Sequence, residues 1–200
     1  MSELANVELN IKEIMMNVIE NIVKMFHRRG YTTNQLSQTI IDKIMVDKTH
    51  NFELNGKKIN IYILNHDLKN ISAGSTVDDY LNKNIDYHKF LIVKSFTKKT
   101  YTQIIHEYKN SEIFLIDDFL EDIPAKEFIP EHHLLNSEEK KELLESFGLN
   151  ELGRIYNTEI ISRYYGAKID DIFRIIRPNI SSGTSIAYRL VINGSMDIFS

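Results

Sequence analysis

The chain contains no cysteine, which excludes disulfides, thiolate metal sites and a cysteine nucleophile, and makes a reducing compartment the simple reading. It has no apolar run near the roughly eighteen residues that a membrane-crossing helix needs. The opening residues Met1–Asn6 are acidic and polar, unlike the basic start and apolar block of a secretory signal. Positive charge is not in excess: the formal net charge is −4, so bulk electrostatics offer no grip on nucleic acid. Proline is scarce, and two of the three prolines, Pro124 and Pro130, fall in one short stretch that marks a domain boundary. No Gly-x-Gly-x-x-Gly, P-loop or Gly-x-Ser-x-Gly occurs, so the common phosphate cradles and nucleophile elbows are missing.

What is present is ordinary soluble composition, with 42% hydrophobic and 26% charged residues. The arginines are uneven. Arg28 and Arg29 precede a long stretch in which lysine alone carries positive charge, and Arg154, Arg163, Arg174, Arg177 and Arg189 all fall near the end. Arginine offers a rigid fork for bidentate pairing that lysine cannot imitate. Two of these forks sit inside Ile172-Phe173-Arg174-Ile175-Ile176-Arg177-Pro178, a run that otherwise reads as a buried strand. Alternation puts Phe173, Ile175 and Arg177 on one face and Ile172, Arg174 and Ile176 on the other, so the two cations need separate partners.

Along the chain, Ile11, Ile14, Met15, Val18, Ile19, Ile22, Val23 and Phe26 give one apolar stripe on a helix, with Glu20 and Lys24 paired on its wet side. Gly30 supplies a left-handed stop after His27-Arg28-Arg29. A second helix is expected after Thr32 or Thr33, through Leu36, Ile40, Ile41 and Ile44. Asn55-Gly56 predicts a hairpin between Phe52–Leu54 and Lys57–Leu64. Further expectations are a helix from Ser75 through Leu81, a buried strand Phe90–Val93, a helix from about Lys99 to Tyr108 and a strand Ile113–Ile116. Beyond the boundary, Asn136-Ser137-Glu138-Glu139 is a capping box for a helix ending at Phe147-Gly148. Asn157 or Thr158 is expected to cap a short helix closed by Gly166, and two strands, about 172–177 and 184–192, finish the chain. The fold class is therefore an α/β N-terminal domain, 1–125, with helices on a mixed sheet, plus a small α+β C-terminal domain, 126–200.

Ile129-Pro130-Glu131-His132, Leu143-Leu144, Arg154-Ile155, Arg163-Tyr164-Tyr165-Gly166, Ile175-Ile176-Arg177-Pro178, Gly183 and Tyr188-Arg189-Leu190-Val191 run in order. Together they resemble the fifth subunit of eukaryotic-type DNA-directed RNA polymerases, whose C-terminal half is like the corresponding, smaller subunit of archaeal polymerase. His27-Arg28-Arg29-Gly30-Tyr31 is similar to the helix ending of the same subunit's N-terminal jaw domain. The resemblance implies a non-catalytic subunit whose C-terminal assembly domain docks on the largest polymerase subunit and whose jaw lies near downstream DNA. It implies no cofactor, metal, membrane or small-molecule ligand. Two domains and a Lys/Asn/Ile-rich composition point to a large DNA virus, hence virion and host cytoplasm, or the nucleus for a cellular polymerase. The chain departs from the family pattern at Gly153 and Ile160, where proline is usual. It departs again at Asn179-Ile180-Ser181-Ser182-Gly183, which lacks a carboxylate, and at Thr97-Lys98-Lys99-Thr100.

On this resemblance the subunit-interface candidates are Pro130, Glu131, His132, Arg154, Arg163, Tyr164, Gly166, Arg174, Arg177, Pro178, Tyr188 and Arg189, with Arg177 favoured at the contact. Tyr164 combines apolar area with a polar tip, as interface cores favour. The DNA-proximal candidates are Arg28, Arg29, Lys98 and Lys99, and binding of the isolated chain to DNA is expected to be weak. A free-standing transcription adaptor using the same surface is the alternative, separable by size exclusion of native extract. A metal-dependent nuclease built on Asp86, His88, Lys89 and Glu53 is a distant third, separable by Mg²⁺-dependent cleavage lost on Asp86→Ala. His132 and His133 are adjacent, so they point apart in a strand and cannot share a metal.

Overall fold

The computed structural model describes residues 2–31, 41, 42, 44, 49–83, 85–179 and 183–195. The chain divides into two compact units, one ending at Glu121 and the next beginning at Asp122.

In the first unit a helix covers Ser2–Arg28, starting earlier than the stripe from Ile11 suggests. Only the later part of that stripe is buried. Val18, Ile19, Ile22, Met25 and Phe26 have no exposure, whereas Ile11, Ile14 and Met16 are exposed. Lys24 is on the wet side, but its ammonium donates to Asn21 Oδ1 at 2.9 Å. The helix ends as expected. Gly30 has φ +68°, and Tyr31 N–H reaches back to the Phe26 carbonyl while Gly30 N–H reaches His27, both at 2.9 Å. Of the expected second helix, residues 41, 42 and 44 are helical, with Ile41 and Ile44 buried; the remainder lies outside the described residues.

The sheet has strands β1 (Thr49–Leu54), β2 (Lys57–Leu68), β3 (His88–Phe96) and β4 (Ser111–Leu115), in that spatial order. β1 and β2 form the expected antiparallel hairpin. Asn55 and Gly56 both have positive φ, 48° and 73°, the geometry a two-residue hairpin turn demands. β2–β3 and β3–β4 are parallel, joined by helices Thr76–Asn82 and Lys98–Glu107. The sheet is therefore mixed, as the spacing of the elements predicts. Central β3 explains its own sequence: Phe90, Leu91, Ile92 and Val93 have no exposure, because a parallel strand is covered on both faces. After β4 the chain makes a 3-10 turn at Asp117–Phe119, where Asp118 Oδ2 accepts the Leu115 N–H at 2.9 Å.

The second unit is another helix-and-sheet layer. Its strands are β5 (Glu131–Leu134), β6 (Gly153–Tyr156), β7 (Ile172–Asn179) and β8 (Gly183–Ile192), ordered β5-β7-β8-β6. The two strands read from sequence are the central pair; β5 and β6 flank them and carry no strand signal of their own. The Asn136 capping box is present. Asn136 Oδ1 accepts from Glu138 and Glu139 N–H, and Glu139 Oε2 accepts from Asn136 N–H at 2.9 Å. The next helix, Ile160–Tyr165, is capped at Glu159, not at Asn157 or Thr158. Those two side chains face the chain's end instead: Asn157 Oδ1 accepts Gly194 N–H at 2.9 Å, and Thr158 Oγ1 donates to the Ser195 carbonyl at 3.2 Å. Gly166 closes this helix with φ 65°.

Candidate functional site

The register of the second sheet sorts its charged residues by face. On one face, Phe173, Ile175 and Arg177 of β7 lie opposite Arg189, Ala187 and Ser185 of β8. His132 joins them opposite Ile175, and Gly153 of β6 lies opposite Arg189. Phe173 and Ile175 have no exposure, and the rings of His132 and Tyr165 meet Phe173 edge-on at 5.7 and 5.8 Å. On the other face, Ile172 packs with Leu143 and Leu152, flanked by Leu135, Leu144, Tyr188 and Leu190. Arg174, Glu131, His133 and Arg154 share that second face. Apolar cover on both faces explains the run Ile172, Phe173 and Ile175 in β7, and the expected split of Arg174 from Arg177 holds.

The two arginines have different surroundings. Arg174 Nη1 lies 3.9 Å from Glu139 Oε1, and its Nε is buried without a partner. Glu139 also meets His133 Nε2 at 3.1 Å. The Asn136 backbone N–H is the main cause that lowers the Glu139 pKa, with the His133 hydrogen bond next. Arg174 thus belongs to an internal cluster at a helix start. Arg177 is exposed beside exposed Pro178. Arg154 is exposed, Arg163, Tyr188 and Arg189 are half-buried, and none of Arg154, Arg177 or Arg189 makes an ion pair among the described residues. Glu131 is exposed; Pro130 and His132 are half-buried, with His132 Nδ1–H donating to the Pro130 carbonyl at 2.6 Å. His132 and His133 do point to opposite faces.

Three expectations need correction. Tyr164 has no exposure; its hydroxyl reaches Asp122 Oδ1 at 3.5 Å and its ring meets Tyr165. It is core, while Tyr188 is the half-buried tyrosine on the sheet face. Gly166 acts through its left-handed backbone at a helix end. Arg29 is an internal tie: its side chain is 2% exposed and forks onto Glu112 with two contacts of 2.8 Å. Phe90 and Tyr31 rings lie under that guanidinium at 5.2 and 5.9 Å, and His88 Nε2 shares Glu112 Oε1 at 2.6 Å. Burial opposes ionisation of Glu112, yet Arg29 and His88 outweigh it and bring its carboxyl down to about 2. Sequence reasoning missed Glu112, which carries no local signal, and named His88 only for the nuclease constellation, not as a partner of Glu112.

Arg28 is exposed at the helix end. Lys98 and Lys99 are exposed too, in the first turn of a helix capped by Thr97. With Asn70, Ile71, Thr102 and Gln103 they line an open depression of about 600 Å³. The nuclease constellation is not assembled: Lys89 is buried and donates to the Leu81 carbonyl, while His88 is engaged by Glu112. Among the described residues no group of three metal-ligating side chains occurs.

Residues 121–191, close to the whole second unit, match the family model for the RNA polymerase Rpb5 C-terminal domain. A curated relative, DNA-directed RNA polymerase subunit Rpo5 of Thermofilum pendens, is 41% identical over 75 residues, covering 36% of this chain and 94% of its own. The chain belongs to the Rpb5 family. DNA-directed RNA polymerase subunit 5 of Acanthamoeba polyphaga mimivirus is 29% identical over 187 residues, 88% of this chain and 90% of the relative. Subunit RPABC1 of the Caenorhabditis briggsae polymerases I, II and III is 37% identical over 83 residues, 40% of this chain and 39% of its own. The Rpb5 match runs over the arginine-bearing β7 and almost all of β8.

Proposed function

We propose that this chain is a non-catalytic subunit of a multisubunit DNA-directed RNA polymerase. Its C-terminal unit docks on the largest subunit, and its N-terminal unit serves as a jaw near downstream DNA. The observation that carries the reading is the family match over 121–191, which spans a unit whose sheet is packed on both faces yet presents Arg177 outward. Arg154, Arg163, Arg177, Arg189, Pro130, Glu131, His132, Pro178 and Tyr188 remain the docking residues; Tyr164, Gly166 and Arg174 act inside the unit and support that surface. Arg28, Lys98 and Lys99 are the cations left to face DNA. The long match to a mimivirus subunit favours a viral polymerase, hence virion and host cytoplasm.

Tagged full-length chain in native extract tests this. A subunit elutes almost wholly in a complex several times its own mass, with the largest polymerase subunit identified by mass spectrometry. Arg177→Glu should lower that recovery at least tenfold, since losing a buried interface arginine costs about 2 kcal/mol or more. Elution of the unaltered chain at its own mass would refute the subunit role and leave the free adaptor.

A further inference from the structure

Three basic side chains, His132, Arg177 and Arg189, share the face of the second sheet that carries Phe173 and Ile175. Two of them are fixed by their surroundings. The His132 ring is held between the Pro130 carbonyl at 2.6 Å and the Phe173 ring at 5.7 Å. The Arg189 stem lies across β6, where a Cβ on Gly153 would come within 3.3 Å of Arg189 Cγ. Glycine at 153 leaves the space that stem uses. Burial is the main cause that lowers the His132 pKa, and Arg189 and Arg177 add to it, so the three groups feel one another. The opposing carboxylate is Glu159, and its Oε1 is engaged by the Tyr156 N–H at 3.1 Å. Neither arginine has an ion-pair partner among the described residues.

Two arginine forks beside an imidazole repel one another until an anion lies between them, and a guanidinium matches a carboxylate with two parallel hydrogen bonds. We infer that an acidic segment of a neighbouring protein subunit lies along the open rim of this face, beside the covered Phe173 and Ile175, its carboxylates taken by Arg177 and Arg189. The inference rests on the subunit role proposed for the chain. Charge selects protein over nucleic acid here. A phosphate backbone brings closely spaced charges past Glu159 and against a chain of net charge −4, whereas single carboxylates can be placed to avoid Glu159.

The test uses full-length Arg177→Lys and Arg189→Lys variants purified within the polymerase and treated with a water-soluble carbodiimide, which couples lysine to carboxylate with no spacer. An amide link from position 177 or 189 to an aspartate or glutamate of another subunit is the expected product. The Arg177→Gln/Arg189→Gln double variant should lower recovery of that subunit at least tenfold, while Lys141→Gln on an exposed helix position leaves it unchanged. Links only to Glu159 or elsewhere in the same chain, no link at all, or retention abolished by nuclease would overturn the inference. If the chain still copurifies with polymerase in those cases, the inference alone fails; if it never copurifies, the subunit role fails with it.

Discussion

Glu112→Gln is the sharpest perturbation of the first unit. It keeps the side chain's shape and removes the negative charge onto which the Arg29 guanidinium, 2% exposed, forks. Two routes give the size of the effect. The folded carboxyl titrates at about 2 against an ordinary 4.5, a gap worth about 3 kcal/mol. Removing one member of a buried ion pair costs about 3–5 kcal/mol. For a unit of this size that is a fall of about 10–20 °C in melting temperature. Urea melts followed by far-ultraviolet circular dichroism measure it, and hydrogen exchange in peptides from β3 and β4 assigns the transition to this unit. The pH dependence has a definite sign. A carboxyl whose folded pKa is depressed stabilises fully above its unfolded value, and that stabilisation is lost as pH falls from about 4.5 toward 2. The gap between wild type and Glu112→Gln should therefore close in acid. The double variant Arg29→Met/Glu112→Leu should recover most of the loss, because neither partner is then stranded. A variant within about 1 kcal/mol of wild type at neutral pH, or a gap that does not shrink in acid, would refute the reasoning.

Tyr164→Ala should destabilise the second unit by about 3–5 kcal/mol in denaturant melts, as expected for a fully buried ring. Tyr164→Phe, which keeps the ring and gives up the hydroxyl's 3.5 Å contact to Asp122, should stay within about 1 kcal/mol. Gly166→Ala must hold φ near 65° with a Cβ, costing about 1–2 kcal/mol in the same melts. Asn136→Ala removes the acceptor for two N–H groups, and should cost about 1 kcal/mol, read as faster amide exchange in the Ser137–Ser146 helix.

Locally encoded features were legible. Gly30, the Asn55-Gly56 hairpin, the Asn136 capping box and Gly166 each act through backbone geometry within a few residues, and each stands where its local signal puts it. β7 was legible down to the opposite facing of its two arginines. β5 and β6 were not, because each has four residues, too few for a period to show, and each depends on pairing with β7 or β8 far along the chain. The candidate site was half legible. Sequence put Arg177 at the surface, but it could not show that Arg29 meets a carboxylate 83 residues away. Nor could it separate Tyr164 from Tyr188, since an aromatic suited to an interface is equally suited to a core.

The first helix has a consequence for synthesis. It leaves the ribosome before the rest of its unit, and the groups that fix it come late: Arg29 waits for Glu112, and Asn21 Nδ2 waits for the Phe119 carbonyl, 98 residues on. At typical elongation speeds that interval is roughly 5–20 s. Throughout it, Val18, Ile19, Ile22, Met25 and Phe26 have no completed sheet to cover them. Premature release of the growing chain before residue 119 should therefore produce a sticky fragment that chaperones hold, whereas release just after it allows the unit to close.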